Sequence, residues 1–211
     1  SKKKKAGIKF NLKKVELKNV TFLKKDAWLG ENMTVYAGSM NMEADQLSLS
    51  GNQYDINSLV IKDPLVAISN YNRLKPKKVT PPGTRTTENV MEEIKQAVSW
   101  NKGQMALKLG YLKIINGTFK TDKGENRQPF DHFDGKHILF SDINGEWSNA
   151  RFTGDTIFAK MRLTAKERSG LEVKSLAADV KMTPRGMAFS NMELLTNRSN
   201  IRNYFSMSYD D

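Results

Sequence analysis

The sequence contains no cysteine, and only two histidines occur among its 211 residues. The absence of cysteine excludes disulfides, thiol nucleophiles and cysteine-ligated metal ions, and histidine is the commonest general base. No run of about 18 apolar residues is present, so no segment has the composition of a transmembrane helix. Glycine-rich nucleotide loops, nucleophile elbows and zinc-protease motifs are also missing. We therefore predict a protein without enzymatic activity, without catalytic residues and without a cofactor.

Positive charge is concentrated at one end of the sequence. Residues 1–25 contain ten lysines and one acidic residue, so they carry +9 of the formal net charge of +11. A basic segment of this kind favours anionic lipid headgroups or nucleic acid, or it is a solvated leader. The near-neutral remainder argues against nucleic-acid binding. The candidates for contact with anionic headgroups are Lys2, Lys3, Lys4, Lys5, Lys13 and Lys14.

Apolar and polar residues alternate along most of the sequence, as in Ile8-Phe10-Leu12. Such alternation predicts strands with one apolar face, and turn signals such as Asn116-Gly117 separate them. The stretch 74–86 holds three of the six prolines, and 89–100 has helical periodicity. We therefore predict an all-β protein with largely antiparallel pairing. Its first β segment is 1–73, a linker and short helix follow over 74–103, and the second β segment is 104–211.

Two short matches suggest an internal repeat. LKNVTF at 17–22 resembles IINGTF at 114–119, and DINSL at 55–59 resembles EVKSL at 172–176. The matches occur in the same order, so we expect a duplicated structural unit.

One loop-like stretch carries residue types that bind metal ions, namely Asp131, His132, Asp134 and His137. Their spacing fits no established motif, and a hairpin with an Asp134-Gly135 turn between apolar flanks explains them better. We predict no metal site. Methionine is frequent in the predicted strands, which fits either ordinary core filling or an adaptable apolar groove.

Longer runs resemble a known family. These are KFNLKKVELKNVTF at 9–22, NMEADQLSLSGNQYDINSLVIKDPLVAISNY at 41–71 and SGLEVKSLAADVKMTPRGMAFSNMELLTNRSNI at 169–201. In pattern they are similar to the TamB/AsmA-like envelope proteins, in the version found in Bacteroides-type bacteria. The resemblance covers most of the chain but includes no catalytic motif. We expect the sequence to be a piece of a longer chain, without the family's N-terminal membrane anchor.

The resemblance implies an elongated, twisted antiparallel sheet curled like a taco around an apolar groove. It implies a periplasmic protein tethered to the inner membrane, with a role in phospholipid transport or outer-membrane biogenesis. The implied partners are phospholipid or another acyl lipid, the remainder of the chain and an outer-membrane protein. Candidate groove residues are Ile8, Phe10, Leu12, Leu47, Leu49, Leu171 and Val173. The alternative is a β-rich structural, assembly or adhesin-like module without lipid binding, with an ordinary core. In a short piece of the chain, the sheet could close over the predicted helix instead of leaving a groove open.

Overall fold

The computed structural model describes residues 13–28, 30–48, 52–71, 101, 104–123 and 127–208. The strands are β1 (Lys14–Asp26), β2 (Glu31–Ser48), β3 (Gln53–Lys62), β4 (Leu65–Asn70), β5 (Ala106–Asp122), β6 (His137–Thr153), β7 (Thr156–Glu167), β8 (Glu172–Thr183), β9 (Gly186–Thr196) and β10 (Asn200–Ser208). They form one sheet in the order β1-β2-β3-β5-β6-β7-β8-β9-β10, and β4 pairs with β2 and β5. The predicted all-β, mostly antiparallel architecture is confirmed. Except for Asn101, the linker and helix predicted over 74–103 lie outside the described residues.

Strands β3 and β4 together act as one long strand with a break at its middle. β2 pairs with β4 along its first half and with β3 along its second half. The break falls at Asp63 and Pro64, because proline has no N–H to donate to a ladder. The carbonyl of Pro64 still accepts a hydrogen bond of 2.7 Å from the N–H of Thr118. The register therefore continues across the break.

The pairing of β5 with β3 and β4 is parallel, whereas all other pairs are antiparallel. Sequence alternation cannot reveal this pair, since strands in both kinds of ladder have a period of two. A parallel neighbour needs a long crossover connection, and residues 71–105 supply it. The two β segments predicted from the sequence therefore join in a single sheet.

The sheet has one layer in the described part of the chain. Each strand contacts only its hydrogen-bonded neighbours, and β1 and β10 do not meet. One face is apolar from edge to edge. A single register row crosses it through Leu17, Met40, Ile61, Ile114, Gly145, Leu163, Leu176, Leu194 and Ile201. Few of these side chains are fully covered, and none of the described side chains falls below 2% exposure.

Asparagine and aspartate interrupt the strands along two transverse lines, which we call the first and second bulge rows. The first bulge row comprises Asn19, Asp63, Asn116 and Asp142, all with φ between 51° and 55°. Their side chains link neighbouring strands. The Asn116 amide donates to Asp63 Oδ1 at 2.6 Å, and Asp142 forms an ion pair of 2.9 Å with Lys166.

The second bulge row comprises Asn149, Asn191 and Asn203, with φ of 52°, 50° and 85°. The Asn191 amide donates to Asp179 Oδ2 at 2.7 Å, which ties β9 to β8. Register shifts accompany these positions in β6 and β10. Asparagine and aspartate tolerate the left-handed backbone region better than other non-glycine residues.

The bulge rows preserve the apolar face. A one-residue insertion would turn every later side chain to the other face. Here apolar residues on the two sides of a bulge are three positions apart instead of two, as in Ile114–Gly117 and Phe140–Ile143. Both pairs line the same cavity. The inserted residue therefore bends the strand while the apolar face continues.

The predicted repeat is only partly matched. Asn19 and Asn116, the shared asparagines of the first match, both have positive φ in the first bulge row. The second match lies in β3 and β8, and the pairing pattern makes these two strands run in opposite directions. The two matches therefore do not belong to one duplicated unit.

We predict that Asn116→Val lowers the free energy of unfolding by about 1–2 kcal/mol, because a β-branched residue is strained at positive φ. The matched control is Asn41→Val, at an exposed position in β2 outside the positive-φ set, with an expected change within about 0.5 kcal/mol. Urea denaturation measures both. Equal effects at the two positions would contradict the strain argument.

Candidate functional site

A cavity of ≈ 480 Å³ opens on the apolar face and spans the middle of the sheet. No charged side chain lines it. Its lining consists of Pro64, Val66, Ile114, Gly117, Thr118, Phe119, Phe140, Ile143, Trp147, Leu163, Ala165, Val173 and Leu176. Its volume lies in the range of about 300–1,000 Å³ that ligand pockets occupy. The cavity can hold an apolar group, but it offers no titratable group for acid–base chemistry.

Trp147 shapes the floor of this cavity. Its ring covers Gly145, where a Cβ atom would lie only 2.7 Å from Cη2 of the indole. Any larger side chain at position 145 would therefore force the indole ring to shift. Because Gly145 belongs to the edge-to-edge apolar row, the indole supplies the apolar surface that the glycine lacks.

The structure places the predicted groove residues unevenly. Val173 is half-buried and lines the cavity. Leu171 is half-buried just before β8, and Leu47 lies in β2 opposite Tyr54. The remaining candidates, Ile8, Phe10, Leu12 and Leu49, lie outside the described residues. Of Leu171 and Val173, the two candidates whose side chains the structure describes, Val173 is the one that lines the cavity.

Two of the six lysine candidates are described. Lys13 is exposed just before β1, and Lys14 begins that strand. Lys14 Nζ lies 2.8 Å from Glu16 Oε1, and this hydrogen-bonded carboxylate raises the pKa of Lys14. Its charge is thus partly compensated. The other candidates, Lys2, Lys3, Lys4 and Lys5, lie outside the described residues.

The candidate metal loop is organised around an ion pair. Arg127 contacts both carboxylate oxygens of Asp134, at 2.7 and 3.1 Å, and the N–H groups of Phe130 and Lys136 donate to the same carboxylate. Asp134 is buried. The hydrogen bonds from Arg127 hold its pKa well below the usual range, although burial acts in the opposite direction. Asp134 therefore serves as the acceptor that closes the loop.

The predicted turn is present, because the N–H of His137 donates to the Asp134 carbonyl at 2.9 Å. The predicted hairpin also requires an apolar strand before this turn. That part of the prediction is wrong, since Phe130 and Phe133 are exposed in a loop. Arg168 fixes that loop by donating to the Phe130 carbonyl at 2.7 Å. Within the described ranges, no group of three or more histidine and carboxylate side chains is arranged to hold a metal ion.

Sequence reasoning missed most of the cavity lining and the bulge rows. A signal for both was available: the spacing between apolar residues changes from two to three wherever an asparagine or aspartate interrupts a strand. Ile114-Asn116-Gly117 and Phe189-Asn191-Met192 both show it. Simple alternation of apolar and polar residues predicts where the strands are. It does not predict which residues lie on the same face on the two sides of a bulge.

Comparison with known protein families and with curated proteins finds no match for this chain. Among the described residues, the structure contains no helix with the length and apolar character needed to cross a membrane.

We predict that Asp134→Asn speeds amide hydrogen exchange in the loop 127–137 at neutral pH, because Arg127 and two N–H groups lose an ionised acceptor. The lowered pKa of Asp134 stabilises the folded loop above the ordinary aspartate pKa of about 4. This stabilisation is lost as the pH falls further, so protection in wild type and variant should converge in acid. The exposed neighbour Asp131 is the control, and Asp131→Asn should leave protection unchanged. A pH-independent difference would contradict the ionic role.

Proposed function

We propose that this chain is a non-enzymatic segment of a TamB/AsmA-like envelope protein and that its apolar face carries phospholipid or another acyl lipid. The carrying observation is the apolar row that crosses a one-layer sheet without a covering layer in the described residues. An uncovered face of this kind is costly in water, at about 25 cal/mol for each Å² of apolar surface. A bound acyl chain would remove that cost.

The chemistry of the cavity supports an acyl ligand over a polar one. Its lining carries no charge, and transfer of each methylene from water to such a surface contributes about 0.8 kcal/mol. A headgroup can remain in solvent, so a carrier of this kind needs no specific polar site. This agrees with a sequence that alternates regularly yet contains no catalytic motif.

A curled, taco-like groove is part of the proposal. Register shifts and bulges bend strands and increase their twist, and here the bulges lie in rows that cross several neighbouring strands. Aligned bends would curve the whole sheet about the transverse rows instead of distorting one strand. In the full protein we propose a periplasmic location, a tether to the inner membrane and an outer-membrane partner protein.

A structural or assembly module is the second candidate, and the edges of the sheet favour it. All nine residues of β10 are exposed, including Tyr204 and Phe205. An exposed edge strand offers unpaired backbone groups to another strand. In that case the apolar face would be covered by protein and no lipid would copurify.

The test is mass spectrometry of lipid extracted from the purified protein, combined with Val173→Asp. We expect the wild type to retain acyl lipid. We expect the variant to remain folded and to lose most of the lipid, because an acyl chain packed against a carboxylate would bury its charge at a cost of several kcal/mol. Without lipid the carboxylate can still reach water from an open cavity.

Ser175→Asp is the matched control, since Ser175 is exposed two positions along the same strand and lies outside the apolar cavity. It should retain wild-type lipid. Unfolding of Val173→Asp would instead indicate a packed core, in which an unpaired buried charge is strongly destabilising. A lipid-free wild type, or a folded Val173→Asp variant with undiminished lipid, would also reject the proposal.

A further inference from the structure

Four exposed aromatic side chains lie at one end of the sheet. Trp28 is 55% exposed in the β1–β2 turn, Tyr71 is 43% exposed after β4, and Phe130 and Phe133 are 47% and 54% exposed in the β5–β6 loop. We call these residues the aromatic end. Single exposed apolar residues are ordinary on protein surfaces, but a group of them marks an interaction site.

The sheet register brings the three connecting segments together. Asn70 at the end of β4 pairs with Glu31, and Ser69 pairs with Asp122, which precedes the loop containing the two phenylalanines. The N–H of Tyr71 donates to the Gly30 carbonyl at 2.8 Å, so the first two segments are in direct contact. At the opposite end, the described turn residues include no aromatic side chain.

The loop that carries the phenylalanines is held in place. Its backbone is fixed by Asp134 and Arg168, and the Arg127 guanidinium lies 3.9 Å from the centroid of the Phe130 ring. Phe133 projects from this fixed loop with more than half of its surface exposed. A rigid loop loses little conformational entropy when its exposed ring leaves water.

The apolar face extends close to this end, and one polar row containing Glu31 and Asn70 separates it from the turns. The last row of the apolar face runs through Met33, Ile68, Thr121 and Ile138, close to the turns that carry the aromatic side chains. Tryptophan and tyrosine prefer the boundary between hydrocarbon and water, where the ring is apolar and its N–H or O–H remains hydrated. Arg127 is neutralised by Asp134, so contact at the loop does not require an anionic partner.

We infer that the aromatic end docks on the surface of a lipid bilayer and inserts Trp28 and Phe133 at the headgroup level. The inference rests on the proposed function for its choice of a lipid partner, but it does not require lipid in the cavity. A protein partner is the competing occupant. Insertion of aromatic rings can be distinguished from electrostatic attraction of the lysine-rich residues 1–25. Salt screens the electrostatic attraction but does not weaken the insertion of apolar rings.

The test is flotation of the purified protein with vesicles of phosphatidylcholine, at low and at high salt. We expect the wild type to float at both salt concentrations. A Trp28→Ser, Phe133→Ser double variant should bind at least about tenfold more weakly, because two exposed rings no longer leave water. Phe130 is left intact, since its ring packs on Arg127 within the loop.

Tyr204→Ser is the control, because Tyr204 is 61% exposed but lies in the edge strand β10. It should float like the wild type. A second measurement is the blue shift of tryptophan fluorescence on vesicle addition, which should be lost in Trp28→Phe. Circular dichroism checks that all variants are folded.

Three results would overturn the inference: no flotation of the wild type, flotation lost at high salt, or equal flotation of the double variant. The first would leave a protein as the occupant of the aromatic end. Lipid retained after purification is scored separately. A wild type that floats without retained lipid supports this inference and rejects the proposed cavity ligand, whereas retained lipid without flotation does the reverse.

Discussion

Every strand of this sheet keeps its apolar side chains on one face, and the described part of the chain provides no second layer over either face. The period of a strand is two, so one added residue would reverse the orientation of everything beyond it. The chain meets this constraint by adding asparagine or aspartate at positive φ and by lengthening the apolar spacing from two to three. This change of spacing at each bulge keeps the apolar row continuous. The cavity and the alignment of the bulges across neighbouring strands depend on it as well.

The strands themselves could be predicted from the sequence, since alternation in runs such as Met161-Leu163 and Leu171-Val173 depends on local side-chain pattern alone. The parallel pairing of β5 could not, because it depends on which strand a long crossover reaches. The asparagines of NVTF and NGTF suggest a repeat, yet their shared property is a backbone conformation at φ 53° and 55°. Similar short motifs can thus arise from a similar local geometry without duplication of a larger unit.

The candidate site was harder to predict than the fold. Val173 could be selected because it alternates within a strand, whereas Pro64, Phe119 and Trp147 join it in the cavity through pairing between distant segments. Asp134, where the sequence predicted a turn and no metal site, shows a further limit of residue type. Its residue type and neighbours suggested a metal ligand, but Arg127 and two backbone N–H groups use its carboxylate. Composition identifies groups that can bind a metal, but only their partners show which role they have.

The crossover between β4 and β5 has a consequence for how the molecule folds. The strands from β5 to β10 pair with their neighbours in chain order, and so do β1, β2 and β3, and such local contacts close short loops at low entropic cost. The parallel junction instead brings together strands separated by residues 71–105. We expect two meanders to form early and their junction to form last, since distant contacts slow folding. The parallel pairing of β5 with β3 and β4 would then be the rate-limiting step of folding.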